Sequence, residues 1–83
     1  MEIVIEFNDA AFRHGVSRES IAHAIQNYLY DDLWDIVADK HLLIGFDQNR
    51  NLLEIMYNVI DERAINVFHA MKCRNIFLKL LDM

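Results

Sequence analysis

The sequence predicts an α+β fold with an N-terminal strand, two helices, an antiparallel four-stranded meander and a short C-terminal helix. Apolar and polar residues alternate in several segments, which is typical of strands with one buried face. A stretch with apolar residues at spacings of three and four separates the first strand from the others and indicates a helix. The chain has no Pro and only two Gly, and short loops between strands favour an antiparallel sheet. Its 83 residues suffice for one small core, so residues 1–83 are predicted to form a single domain.

The N-terminal third carries the clearest local signals. Residues 2–7 place Glu2, Val4 and Glu6 on one face and an apolar set on the other, which predicts a half-buried strand; the apolar set is Ile3, Ile5 and Phe7. Asn8 is a suitable cap for a short helix over Asp9–His14, and Gly15 stands where a helix end requires a left-handed residue. Ser17 is placed to cap a second helix. The predicted apolar stripe of that second helix comprises Ile21, Ala24, Ile25, Tyr28 and Leu29.

Four further strands and a closing helix are predicted from the remaining sequence. They are Leu33–Ala38, His41–Asp47, Leu52–Ile60, Arg63–Met71 and the helix Arg74–Leu81. Strict alternation along the last strand predicts that one of its faces carries Ile65, Val67, His69 and Met71. The closing helix is short and apolar, and it could pack on the domain or await a partner.

Charge divides the chain into an acidic body and a basic end. Residues 1–62 hold twelve Asp or Glu and four Lys or Arg, whereas residues 63–83 hold one Asp and four Lys or Arg. Positive groups gathered at a strand end are suited to phosphate, although a solvated strand end is the alternative interpretation. The net charge of −5 argues against extensive non-specific nucleic-acid binding, which depends on Lys and Arg.

Four residues are candidates for chemistry, and three of them lie at this basic end. His14 ends the short helix, where a cation is favoured, and it could instead simply cap carbonyl groups. His69 falls in an apolar strand pattern, so its ring needs a hydrogen-bond partner or the mouth of a pocket. Lys72 and Arg74 could stabilise a phosphate, although a regular strand puts Lys72 on the face opposite His69. Metal-free RNA cleavage requires an acid, a base and a cation, which these catalytic candidates could supply if they meet in space.

Most other enzyme classes lack their motifs here. The four histidines do not have zinc-ligand spacing, and there is no phosphate-binding glycine loop or nucleophile elbow. We therefore expect neither a metal nor a cofactor. The single cysteine, Cys73, cannot form an internal disulfide, the acidic start does not resemble a signal peptide, and no apolar run approaches the ~18–20 residues of a membrane span. These features predict a cytoplasmic protein without a membrane partner.

Several segments resemble BrnT-type toxins and the small toxin-like proteins grouped with them. The opening Phe7-Asn8-Asp9, the link His14-Gly15-Val16-Ser17 and the helix from Glu19 to Leu29 are similar to the BrnT start. The hairpin from Leu42 to Ile55 and the closing His69-Ala-Met-Lys72-Cys-Arg74 resemble the toxin-like relatives. The resemblance implies a RelE-like fold, metal-independent endoribonuclease activity on mRNA, and a toxin–antitoxin operon with a cognate antitoxin protein.

Two departures from BrnT keep a second interpretation open. The first helix is shorter, and the chain is acidic where ribonuclease toxins are commonly basic. The hydrophobic content of 54 % exceeds the roughly 45–50 % of ordinary globular chains, which indicates either a well-filled core or apolar surface that meets a partner. The alternative is therefore a catalytically inactive protein-interaction module of the same fold, either a homodimer or bound to another protein.

Overall fold

The computed structural model describes residues 3–81, which form a five-stranded mixed sheet with one helix on each face. Two single-turn 3-10 helices complete the domain. The elements in chain order are β1 Val4–Phe7, the first 3-10 helix Asp9–Phe12, α1 Arg18–Gln26, β2 Tyr28–Asp35, β3 Lys40–Phe46, β4 Leu52–Asp61, β5 Ala64–Lys72, α2 Asn75–Leu78 and the second 3-10 helix Lys79–Leu81.

The sheet differs from the predicted one, although the class is α+β. Its strand order is β1-β5-β4-β3-β2, and β1 pairs in parallel with β5, from Val4 opposite Ala64 to Phe7 opposite Val67. The four-stranded antiparallel meander of the RelE-like prediction is therefore wrong, because the first strand makes the sheet five-stranded and mixed. Strands β2 to β5 follow one another as antiparallel neighbours and bring β5 back beside β1.

Polar side chains set the helix boundaries of the N-terminal third. The Asn8 side-chain oxygen accepts a hydrogen bond from the Ala10 N–H at 2.9 Å, and the Ser17 hydroxyl accepts one from the Ser20 N–H at 3.1 Å. Gly15 has the left-handed φ of 80°. The first helix ends at Phe12, two residues before its predicted end. Asn27 ends α1 by donating its side-chain amide to the His23 carbonyl oxygen at 2.9 Å.

Tyr28 and Leu29 therefore do not belong to the apolar stripe of α1. They begin β2, and both side chains are exposed. The predicted helix is too long because two consecutive apolar residues fit a helix pattern as well as a strand pattern. The residue that ends the helix, Asn27, is polar, so an apolar pattern does not reveal its capping amide.

A bulge interrupts the alternation of β5. Met56 pairs with His69 and Tyr57 pairs with Val67, so Phe68 has no partner opposite it. Beyond such an extra residue, the two faces of a strand exchange positions in the sequence. Ala70, rather than His69, therefore follows Val67 into the core beneath α1. The prediction that His69 and Met71 share a face with Val67 is wrong for this reason.

Apolar residues cover both faces of the sheet. Helix α1 packs on the first face, where the buried residues are Ala11, Ile21, Ala24, Leu43, Leu53, Ile55, Tyr57, Ile65, Val67 and Ala70. Helix α2 packs on the opposite face, where Phe77 covers Leu42 and Ile44. The closing helix thus docks on its own domain. None of the helices within residues 3–81 has the length and apolar character needed to cross a bilayer.

Candidate active site

Glu54 is the centre of a polar cluster at the carboxyl end of β5. It is fully buried within β4, and four donors converge on its carboxylate. His69 Nε2 lies 2.9 Å from one oxygen, and the Arg74 backbone N–H lies 2.9 Å from the other. The Arg74 guanidinium donates from Nε at 3.0 Å and from Nη2 at 2.7 Å. The cluster fixes the chain where β5 leads into α2.

These donors keep Glu54 ionised. Burial alone would raise the pKa of this carboxyl, but the hydrogen bonds from the Arg74 side chain and backbone and from His69 outweigh burial and hold the pKa below its usual range. An ionised carboxylate only accepts hydrogen bonds, so Nε2 of His69 must carry the hydrogen that it donates. The other ring nitrogen, Nδ1, is then the one left for a substrate.

His14 stands next to His69. The two ring centroids are 5.7 Å apart, and the rings meet edge to face at 74°. The first 3-10 helix places His14 there, because the Asn8 N–H donates to the Val67 carbonyl oxygen at 2.8 Å and Ala11 is buried against β5. Gly15 then turns the chain into α1. The sequence-predicted pair of histidines is therefore adjacent in the fold.

Lys72 lies on the opposite face of the sheet from His69. It pairs with Leu53, which faces α1, whereas His69 pairs with Met56 on the opposite face. Lys72 nevertheless lines the same cleft of about 370 Å³ as His14, together with Ser17 and Ser20. His14 thus lies beside His69 and also borders the cleft that contains the lysine.

Arg74 is bound to the carboxylate at the centre of the cluster. Two of its guanidinium nitrogens donate to Glu54, and its terminal carbon lies 5.3 Å from the centre of the Phe77 ring. The hydrogen bonds to Glu54 raise the pKa of Arg74, so it remains a cation whose charge is balanced by that carboxylate. Arg74 is placed to hold Glu54, and Lys72 is the cation that lines the cleft.

Glu54 is the residue that motif reasoning missed. It is the only charged side chain within the otherwise apolar segment Leu52–Tyr57. A carboxylate in a strand with two apolar faces must be paired, since burying an isolated charge is very costly. That single sequence feature indicates that a cationic partner lies nearby, although it does not identify which of the chain's basic residues it is.

A second, neighbouring cleft shares Asp47 with the first. Its volume is about 530 Å³, and it is lined by His23, Asn27, Phe46, Asp47, Gln48 and Arg50. Asp47 orders the turn between the clefts by accepting hydrogen bonds from the Asn49 and Asn51 backbone N–H groups, each at 2.8 Å. The two clefts lie along one polar stripe of α1, because Ser17, Ser20, His23 and Asn27 follow helical spacing.

Two further titratable side chains near these features, Cys73 and Tyr57, have raised pKa values. Burial, followed by the charge of Glu54, raises the pKa of the Cys73 thiol, which therefore stays protonated and is a poor nucleophile. Tyr57 donates its hydroxyl hydrogen to Asp31 at 2.7 Å, and burial and this bond raise its pKa. Neither group is prepared for catalysis at neutral pH.

No family model, curated protein or solved structure matches this chain. The resemblance to BrnT-type toxins therefore depends on the short segments that carry it.

Proposed function

We propose that the protein is a metal-independent endoribonuclease that cleaves RNA through attack of the ribose 2′-hydroxyl. The observation that supports this proposal most directly is the pair of adjacent imidazoles, His14 and His69, at 5.7 Å between ring centroids. One of the two rings is held by an ionised carboxylate, and the other borders a polar cleft that contains Lys72. Paired histidines are an economical source of an acid and a base near neutral pH.

The reaction needs one proton acceptor and one proton donor. One imidazole takes the proton of the 2′-hydroxyl while the 2′-oxygen forms a bond to phosphorus. The bond from phosphorus to the 5′-oxygen breaks, and the other imidazole protonates that leaving oxygen. The products are a 2′,3′-cyclic phosphate and a 5′-hydroxyl end. Lys72 stabilises the charge that develops on the non-bridging phosphate oxygens, and Glu54 and Arg74 position His69.

The neighbouring cleft is suited to a base of the same strand. The Phe46 ring is partly exposed there, and side-chain amides and the Arg50 guanidinium surround it. Aromatic stacking and hydrogen bonding to base edges are the usual contacts of proteins with single-stranded RNA. A local site of this kind is compatible with an acidic body, because it does not need a broad basic surface.

Cleavage of an RNA oligonucleotide in the presence of EDTA tests this proposal. We expect a 2′,3′-cyclic phosphate product, and we expect His14→Ala and His69→Ala each to lower kcat by at least about 100-fold, the usual minimum for a general acid or base. Lys72→Ala should also lower activity. The matched controls are His41→Ala and Lys40→Ala, which remove the same kinds of side chain from the start of β3, outside the cleft.

A substrate with a single 2′-deoxynucleotide at the cleaved position distinguishes this reaction from hydrolysis by water. We expect that substrate to resist cleavage. Undiminished cleavage of the deoxy substrate, or full activity of the double variant His14→Ala/His69→Ala, would exclude the proposed mechanism.

The resemblance to BrnT-type toxins adds a proposal about the biological role. We propose that the protein acts on mRNA in the cytoplasm as the toxin of a toxin–antitoxin pair. Induced expression should then arrest growth, and co-expression of the product of the adjacent open reading frame should relieve the arrest. His14→Ala/His69→Ala should be harmless at the same protein level. Growth arrest by that variant would show that toxicity does not depend on RNA cleavage.

A further inference from the structure

Strand β2 forms an open edge of the sheet. Within residues 3–81 it pairs with β3 alone, and all of its side chains except Tyr30 are exposed. An edge strand presents backbone N–H and C=O groups that can pair with another chain, and natural proteins usually protect such edges. Here the protection consists of acidic side chains and of two bulges at Leu29 and Trp34, and the bulges leave Tyr30–Leu33 in regular pairing between them.

Large apolar side chains are concentrated on this edge. Ile36 and Val37, in the turn after β2, are 79 % and 95 % exposed. The other large apolar residues that are exposed on the same segment are Tyr28, Leu29, Leu33 and Trp34. A concentration of exposed large apolar side chains on one short segment favours a binding site there. We call residues 28–39 the β2 edge surface.

The charge of the β2 edge surface identifies its partner. The segment contains Asp31, Asp32, Asp35 and Asp39 and not a single Lys or Arg. A second copy of the chain pairing through the same edge would place acidic groups against acidic groups, which opposes association. A segment that combines Lys or Arg with apolar residues would neutralise the carboxylates and cover the exposed Leu33, Trp34 and Ile36.

We propose that the β2 edge surface binds an extended basic segment of another protein, which adds to the sheet as a sixth strand beside Tyr30–Leu33. Backbone hydrogen bonds hold such a strand, and its alternating side chains provide specificity. The surface lies three strands from β5, about 14 Å at the usual ~4.8 Å between neighbours. A segment bound there leaves His14 and His69 uncovered, so the inference does not depend on the nuclease proposal.

The single tryptophan of the chain, Trp34, reports directly on this surface. The probe is a separate synthetic peptide of 8 residues, the length of β2, in which Lys and Val alternate. In the matched control peptide, Glu and Val alternate. We expect the Lys–Val peptide to shift the Trp34 emission to shorter wavelength in a saturable titration and to slow amide hydrogen exchange at Tyr30–Leu33. The Glu–Val peptide should have neither effect.

Charge variants test the identity of the surface. Asp32→Lys should weaken binding of the Lys–Val peptide by about tenfold, whereas Glu6→Lys, which makes the same kind of charge reversal on β1 at the other edge, should leave binding within about twofold. Val37→Lys, at an exposed turn residue, should also weaken binding of the Lys–Val peptide. It provides a second test in case Asp32→Lys does not fold. Circular dichroism checks that each variant is folded.

Several results would overturn the proposal. These are equal binding of both peptides, absence of binding, or equal effects of Asp32→Lys and Glu6→Lys. Sedimentation of the free protein as a dimer that Val37→Lys dissociates would assign the surface to a second copy instead.

Discussion

At the scale of single residues, one buried carboxylate determines the geometry of the candidate site. Glu54 holds the His69 ring in one orientation and fixes Arg74 through both its backbone and its side chain. In return, the donors keep the carboxyl ionised in an apolar strand. The sequence allowed His69 and Arg74 to be chosen, because polar groups at the end of an apolar strand need an explanation. It did not reveal that the Arg74 guanidinium binds Glu54, because this contact joins two segments that are distant in the sequence.

The substitution Glu54→Gln tests whether this carboxylate positions His69. The amide has nearly the same size but no charge, so it no longer fixes the ring in the orientation that leaves Nδ1 for substrate. We expect kcat for RNA cleavage to fall by at least about tenfold with little change in KM, the pattern of an interaction made in the transition state. Glu6→Gln, on β1 away from the cluster, is the control. A change in KM alone would contradict a positioning role.

At the scale of secondary structure, local signals predicted the caps and missed the irregularities. The caps at Asn8 and Ser17 depend on side chains that bond within two or three residues, so sequence proximity is sufficient. The bulge at Phe68 depends on the register between β4 and β5, and no local preference of Phe requires it. Sequence alternation therefore placed His69 on the wrong face of β5.

Gly45 determines how closely α1 approaches the sheet. A Cβ atom at this position would overlap the Ala24 carbonyl oxygen in the backbone of α1 and would crowd the Tyr28 Cα atom at 3.1 Å. We expect Gly45→Ala to lower the free energy of unfolding in urea by about 2–3 kcal/mol, because neither neighbour is a flexible side chain.

Gly15→Ala is the matched control for Gly45→Ala. A Cβ atom added at Gly15 would meet only open space, but the backbone there has a left-handed φ of 80°. Its substitution should cost only about 1 kcal/mol, through backbone strain. An equal cost at the two positions would show that the close contact between α1 and β3 is not what requires Gly45.

Helix α2 contributes to stability through one side chain. Phe77 is buried on Leu42 and Ile44, and its ring meets Trp34 edge to face at 5.4 Å between centroids. We expect Phe77→Ala to lower the free energy of unfolding by about 3 kcal/mol and to alter Trp34 fluorescence. Ile76→Ala removes a side chain that is 62 % exposed and should change stability by less than about 0.5 kcal/mol. Similar losses in the two variants would mean that α2 does not dock through Phe77.

At the scale of the whole molecule, acidic and basic side chains are concentrated on different strands of the sheet. The β2 edge surface is acidic and apolar, whereas the other side gathers His14, His69, Lys72 and Arg74 around β5. Charge counting along the chain anticipated this division, because the basic residues cluster after residue 62. It did not predict that Asp31 and Asp32 lie on an edge strand, because β2 begins at Tyr28, where the helix was expected to continue.

The buried carboxylates make the stability of the whole domain depend on acidity. Hydrogen bonds outweigh burial at both Glu54 and Asp47, so the pKa of each is lower in the folded protein than the values of 4.5 and 3.8 in an unfolded chain. A lowered pKa stabilises the folded state fully above the unfolded value, and this contribution is lost as the pH falls through the folded value. The free energy of unfolding should therefore fall steadily once the pH drops below about 4.5.

Urea denaturation at a series of pH values measures this dependence. Glu54→Gln should be less stable than the original protein at neutral pH by about 2 kcal/mol, the usual contribution of hydrogen bonds to a charged group. Its stability should also fall less steeply in acid, because one of the two carboxyls that take up a proton on unfolding has been removed. The two curves should thus converge as the pH decreases. Parallel curves would show that Glu54 takes up no additional proton when the domain unfolds. Arg74 and His69 would then not lower the pKa of its carboxyl.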